Sequence, residues 1–414
     1  MKVDGSKVRI ALIAVIIGVL LGAYIGYALT PTTTFTISPG VYPGAPDYTI
    51  WREGSNYFAK NKYGEIEFSG TNASQVIQSA INALTNGGKI FIHQGVYEIN
   101  TPIILKEHIT IVGEGGIKSN SGKGTTVLSA TQSIDSVFKT SPEEDTLIAH
   151  ISLLYLRIVC NDLVETAINL TNVDSTEISW VAIRGATSKG IHLGFYGTIP
   201  PSGGTIPGGM TIQHCRFYDT NAIEINIEYN TQDWILFNWF AGGNPKTAIR
   251  IFDSNKIKIR GNEINTPTEH GILITDDDNP SSHNIQVAGN WINPGTNCYP
   301  IKVNLTSPSV YSDITVTDNL ITDDGLGLSL DNCVIVDGTD FNGKPLRNSG
   351  TATISSGTSV TFNHGLAGTP TLVLCSFNNT GYGEWKWSAT STQITITVTN
   401  SGTYEVYWYA EYKP

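Results

Sequence analysis

The feature that most constrains this 414-residue chain is a repeat that keeps its frame while its spacing varies. An apolar residue, two variable residues, Asn, one residue and a second apolar residue recur. They read ILFNWF (235–240), IRGNEI (259–264), VAGNWI (287–292) and VTDNLI (316–321). LLYLRI (153–158), ISWVAI (178–183) and IQHCRF (212–217) keep the frame with another residue at the Asn place. A second element runs in phase: small residue, Ile, variable residue, aliphatic residue. It reads AINL from Ala167, GIHL from Gly190, AIEI from Ala222, AIRI from Ala248, GILI from Gly271 and PIKV from Pro300. Each is a short strand of period two, with its aliphatic side chains on one face. Two or three such strands per turn, joined by loops of unequal length, describe a right-handed parallel β-helix. Stacking puts equivalent residues about 4.8 Å apart. The Ile positions then fill the interior, and the recurring Asn can bond its neighbours and the turn backbone. The ends of such a ladder need caps.

The N-terminal cap is legible at 70–99. Val76, Ile77, Ile81 and Leu84 have helical spacing, Thr71 or Asn72 can cap the start, and Gly87-Gly88 ends it. KIFIHQGVYEI and IILKEHITIVGEG then read as the first strands. Val76-Ile77-Gln78, Ala80-Ile81, Gly87-Gly88, Gly95 and Tyr97 together resemble the cap of the pectate-lyase-like superfamily, which holds polysaccharide lyases, polygalacturonases and phage tailspikes. The resemblance covers roughly 51–340. It implies the β-helix and a carbohydrate ligand, and its tailspike members imply a homotrimer. It leaves the chemistry open. Where polygalacturonases carry paired aspartates before a GIxI strand, this chain has Glu269-His270, and their Asn-Thr-Asp and Gly-His-Gly motifs are absent. The lyase Trp-x-Asp-His run is absent too: Trp180 is followed by VAI.

Composition narrows the partners. The formal net charge is −11, and no Lys/Arg run lies beyond the N-terminus, which argues against nucleic acid. The cysteines are five and scattered, with no metal or CxxC spacing, so buried free thiols are expected. Residues 10–29 are twenty without a charge, preceded by Lys2, Lys7 and Arg9. That is enough helix for one bilayer core, with the N-terminus cytoplasmic. The expectation is a single-pass membrane anchor (1–30), a Thr/Pro-rich stalk (31–50) and an exterior remainder. A cleaved signal peptide is the rival.

The candidate chemistry lies at HGILITDDDNP (270–280) and the strands before it. Counting from Ile223, Ile249 and Ile272 puts Ile227, Asp253 and Asp276 at one strand edge, with Glu228 and Asp277 beside them. Glu224, Arg250 and Lys302 are then expected to face outward, with His192 one or two rungs earlier. The catalytic candidates are Asp253, Asp276, Asp277, Glu228 and Arg250, and the substrate-binding candidates are His192 and Glu224. Carboxylates on neighbouring rungs suit a glycosidase. A lyase would instead use clustered acids to hold calcium against a uronate, with Asp276 and Asp277 as ligands and Arg250, Lys256, Lys258 or Arg260 taking the proton. No cofactor is otherwise required. Asp and Asn are also ordinary turn residues, and Glu224 with Arg250 can be a plain cross-rung pair.

After a linker (341–350), alternating segments predict a small antiparallel β-sandwich (351–414). His364, Gly365, Leu366 and Pro370 make it similar to modules of viral fibres and H-type lectins. Trp385 and Trp387 share a strand face, to stack on a sugar or to pack inward. The combined expectation is an all-β, membrane-anchored protein whose β-helix (51–340) binds, and as a further expectation cleaves, a polysaccharide or cell-surface glycan. The alternative is a non-catalytic adhesin or envelope component with the β-helix as a rigid spacer.

Overall fold

A computed structural model describes residues 44–115, 124–142, 146–196, 207–220, 222–241, 245–276, 284–305, 314–322, 329–331, 335–337, 340–341 and 344–412, with the backbone alone between 329 and 345. Met1–Ala45 forms a unit apart from Pro46–Pro414. The apolar segment 10–29 lies outside the described residues. Among those described, no helix is long and apolar enough to cross a membrane.

The repeat folds as expected, into parallel strands stacked in three walls. The first wall holds Ser152–Leu154, Glu177–Ser179, Thr211–Gln213, Trp234–Leu236, Lys258–Arg260, Ile285–Ala288 and Ile314–Thr317. The second runs through Arg216–Tyr218, Trp239–Phe240, Glu263–Asn265 and Trp291–Asn293. The third runs through Ile223–Glu228, Thr247–Phe252, His270–Thr275 and Tyr299–Asn304. Leu156–Thr171 and Ala182–Gly194 pass through the second and third walls without a break, so the two merge into one nearly closed sheet. Ile168, Ile191, Ile225, Ile249, Ile272 and Ile301 stack in register and are fully buried.

Between the first and second walls the chain turns through a left-handed residue, φ 54° at Phe237 and 65° at Gly261, followed by the recurring Asn. These asparagines form a bonded column. Asn238 Nδ2 donates to Asn262 Oδ1 at 3.0 Å, Asn262 Nδ2 to Asn290 Oδ1 at 2.9 Å, and Asn290 Nδ2 to Asn319 Oδ1 at 2.8 Å. Each Oδ1 also accepts the backbone N–H of the preceding Asn. The buried polar side chain is thereby satisfied on every side.

The cap is the expected helix, α1 (Ala73–Ala83), with Asn72 as its N-cap. It closes the first rung with side chains as well as bulk. Gln78 accepts from Ile104 N at 2.7 Å and donates to Ile104 O at 3.1 Å, while Ser74 Oγ accepts from Asn100 N. These bonds occupy backbone groups of the first rung that no earlier rung can pair.

The C-terminal segment is antiparallel, as expected. It is one four-stranded antiparallel sheet, because two long strands, Arg347–Asn363 and Gln393–Glu411, run its whole length. Register shifts between Ile354 and Ser359 break the pairing midway, and Ile394, Ile396, Tyr404, Val406 and Trp408 share one core. Trp385 packs against this core beside Phe377, whereas Trp387 is 37% exposed. Cys160, Cys215 and Cys298 are buried free thiols and Cys375 is a half-buried one.

Candidate functional site

The outward side of the third wall carries a row that crosses the rungs, polar except at Leu273: Asn169, His192, Asn226, Arg250, Leu273 and Lys302, with Asn226 itself fully buried. Beside it runs a second row, Glu228, Phe252, Thr275 and Asn304. Arg250 joins the two. Its Nη1 donates to Glu228 Oε1 at 2.5 Å and to Asn226 Oδ1 at 3.0 Å, and its guanidinium lies 4.8 Å from the centre of the Phe252 ring. Asn226 Nδ2 lies 2.8 Å from His192 Nδ1.

The direction of this chain of bonds follows from elementary chemistry. A guanidinium only donates, so Asn226 Oδ1 accepts and its Nδ2 must donate to His192 Nδ1. The neutral imidazole then carries its proton on Nε2. Gly194 leaves room for that edge of the ring, since a Cβ there would lie 2.7 Å from His192 Nε2.

Burial, aided by the charges of Lys189 and Arg250 and opposed by Glu228, brings the His192 pKa down from 6.5 to about 4. Burial alone would push Glu228 up, but the Asn226 hydrogen bond and the charges of His192 and Arg250 outweigh it and hold it below its usual range. At neutral pH the site therefore presents an uncharged imidazole N–H, a guanidinium and an ionised carboxylate. Between about pH 6.5 and 4 the unfolded chain binds a proton at His192 that the folded chain refuses, so stability is lost as pH falls through that window. His192→Gln should flatten this part of the profile. Urea midpoints at about pH 7, 5.5 and 4.5 check it; an unchanged slope would place the titration elsewhere.

The structure corrects the expected face of Glu224. It is fully buried, and neither carboxylate oxygen has a hydrogen-bond partner among the described residues. Ile225, not Ile223, pairs with Ile249. Glu224 thus stands in the row of Gly190, Ala248 and Gly271, which turns inward at the corner of the second and third walls. A Cβ on Gly190 would lie 3.1 Å from the interior Phe217 ring. Burial, and secondarily Asp219, raises the Glu224 pKa well above the usual value. The expected Glu224–Arg250 pair does not form; Arg250 pairs with Glu228. The register also supplies Asn226, which sequence reasoning missed because AIEI satisfies the strand pattern and EINI, the segment actually in register, breaks it at Glu224.

Phe252 pairs with Thr275, so Asp253 and Asp276, the residues that follow, close neighbouring strands at one edge, as expected. Both are buried, and Asp253 turns with φ 44°. Asp277 lies outside the described residues. Among those described, no three His, Cys, Asp or Glu side chains are grouped to hold a metal. Lys256, Lys258 and Arg260 are not gathered around Arg250: they belong to the first wall and the turn that leads into it.

Fold and outer row define a parallel β-helix protein with a polar strip along one wall. The sequence model of the family described as "Rhamnogalacturonase A/epimerase, pectate lyase-like" matches residues 67–273, half of the chain, and the chain belongs to that family. Among solved structures, it is similar to the A-module of the Azotobacter vinelandii mannuronan C-5 epimerase AlgE6, at 14% identity and TM-score 0.39, over 65% of this chain and 87% of that one. DFA-IIIase from Arthrobacter chlorophenolicus A6 aligns at 12% identity and TM-score 0.40, over 65% and 89%. A capsular polysaccharide depolymerase, the tailspike protein of an Acinetobacter baumannii bacteriophage, aligns at 13% identity and TM-score 0.36, over 81% and 82%. A search of curated proteins finds no match.

Proposed function

We propose that this protein binds and processes a polysaccharide along the outer face of its third wall. The observation that carries the reading is the oriented relay from Arg250 through Asn226 to His192, anchored on Glu228. It holds hydrogen-bond donors and one acceptor in fixed positions on a rigid sheet, which is how a surface recognises sugar hydroxyls. Family membership supports the ligand class. The tautomer makes His192 Nε2–H a donor to ligand and not a base. Cleavage would therefore use Glu228 as the ionised carboxylate, with an acid from the Asp253–Asp276 edge. The adhesin reading rests on the same relay, because Glu228 is already engaged by Arg250.

Full-length protein on a panel of neutral and acidic polysaccharides, with and without calcium, separates these readings. New reducing ends lost in Glu228→Gln mean hydrolysis. Unsaturated-uronate absorbance that requires calcium means elimination. Binding without either signal means the adhesin. Arg250→Ala and His192→Ala should each weaken binding about tenfold or more, the scale of a lost charge-assisted hydrogen bond. Arg250→Lys should not restore it, because one ammonium cannot both bridge Asn226 to Glu228 and stack on Phe252. Glycan affinity unchanged in all three variants would remove the third wall from consideration. The cell-surface placement through residues 10–29 is part of this proposal and is tested by protease accessibility on intact cells. The homotrimer is tested by solution mass.

A further inference from the structure

A groove of about 440 Å³ opens on the first wall, lined by Gly209, Thr211, Gln232, Trp234, Lys256 and Lys258. Its shape follows from the register. Thr211, Trp234 and Lys258 are stacked on successive rungs, as are Gly209, Gln232 and Lys256 at the turn before them. Gly209 and Thr211 are small, so the rung before Trp234 leaves open space. Trp234 is 41% exposed. Lys258 Nζ lies 4.9 Å from the centre of its ring and takes one face of it. The other face is left to the space over Gly209 and Thr211.

The charges are one-sided. The groove lining contains two ammonium groups and no acid, and neither lysine is paired with a carboxylate among the described residues. In a chain of net charge −11 such a local excess is unusual. The acid in the same outward row, Glu177, stands on the far side of Thr211 and accepts from Ser179 and Gln213.

We propose that this groove is a second glycan site, separate from the third wall, and that it takes an anionic pyranose residue. The apolar face of the sugar stacks on Trp234, as pyranose C–H groups do on aromatic rings. Its carboxylate or sulfate ester meets Lys256 and Lys258, and Gln232 and Thr211 supply hydrogen bonds to hydroxyls. Lysine rather than arginine suits either anion, since an ammonium is a point charge with no bidentate preference.

The test uses the full-length protein and isothermal titration with three probes: an oligogalacturonate, the same oligomer with its carboxylates reduced to alcohols, and a sulfated oligosaccharide of similar length. The measurements are made in an Arg250→Ala/His192→Ala background so that the third wall contributes little. Binding of either anionic probe is expected, with the reduced oligomer weaker by about tenfold or more and the affinity falling as salt shortens the screening length. The anion that binds tells carboxylate from sulfate recognition. Trp234→Ala and Lys256→Gln/Lys258→Gln should each abolish most of the remaining binding while leaving the unfolding midpoint unchanged, because all three side chains are at the surface. Equal binding of the charged and reduced oligomers, or full affinity in Trp234→Ala, overturns the proposal without touching the third-wall reading.

Discussion

Asn290→Ala should lower the stability of the β-helix by about 3–5 kcal/mol, among the largest single-residue losses in this chain. Asn290 Oδ1 accepts from Asn262 N at 3.0 Å and from Asn262 Nδ2 at 2.9 Å. Its Nδ2 donates to Ile259 O at 3.0 Å and to Asn319 Oδ1 at 2.8 Å. Truncation removes all four bonds and leaves at least the Asn262 N–H without its acceptor in a dry turn, where each orphaned group costs about 1–3 kcal/mol. The rungs depend on their neighbours, so the loss spreads along the solenoid. Urea denaturation followed by circular dichroism measures it, with Gln286→Ala on the outward face as the control expected to stay within about 0.5 kcal/mol. Asn290→Asp is the sharper variant. It keeps the acceptor but turns a buried carboxylate oxygen on Ile259 O and Asn319 Oδ1, so it should cost at least as much as alanine, and a smaller penalty would mean that the two donations contribute little. A loss below about 1 kcal/mol in Asn290→Ala would mean that water replaces the side chain and that the column is not a main source of stability.

Glu224→Met should do the opposite and raise stability by about 1–3 kcal/mol at neutral pH, the usual penalty of an unsatisfied buried polar group. Both Glu224 oxygens lack partners among the described residues. The folded chain holds the carboxyl protonated well above the ordinary 4.5, whereas the unfolded chain releases its proton near that value. Above about pH 4.5 the unfolded state therefore binds fewer protons than the native one, and stability is lost as pH rises. The gain in Glu224→Met should accordingly grow as pH rises above about 4.5. Glu224→Gln should remove the pH dependence with a smaller gain, because its amide is also buried without a partner. Destabilisation by methionine at every pH would mean that the carboxyl is satisfied by bound water and helps hold the corner together.

The same residue marks the limit of legibility in the sequence. Period-two alternation and the recurring Asn were sufficient to place the rungs, the interior isoleucines and the Asn column, because both patterns are repeated on several rungs and each copy corroborates the others. One rung departs from the pattern at a single place, with Glu224 where its neighbours have Gly190, Ala248 and Gly271. The small-residue rule then selected Ala222 and slid the strand by two. A shift of two preserves the alternation of faces, so nothing in the local sequence reveals it. It gave Glu224 and Asn226 the wrong neighbours and hid that Glu224 belongs to the row that turns inward at the corner. The pairing of Asp253 with Asp276 escaped this error because the two strands concerned, AIRIF and GILIT, share an unambiguous register.

Local pattern thus determined the fold of this protein: the β-helix, its capping helix and the Asn column follow from short-range periodicity and capping chemistry repeated along the chain. Tertiary structure alone decided the site and the shape of the last sheet. The bonds that define the relay join residues 22 to 34 positions apart. Their meeting depends on the length of the loops between rungs, which carries no periodic signal. The long strands of the C-terminal sheet are likewise continuous through irregularities in pairing that alternation does not encode. Periodicity places the interior isoleucines; only the completed rungs tell which neighbour a side chain meets and, at a corner such as Glu224, which face it takes.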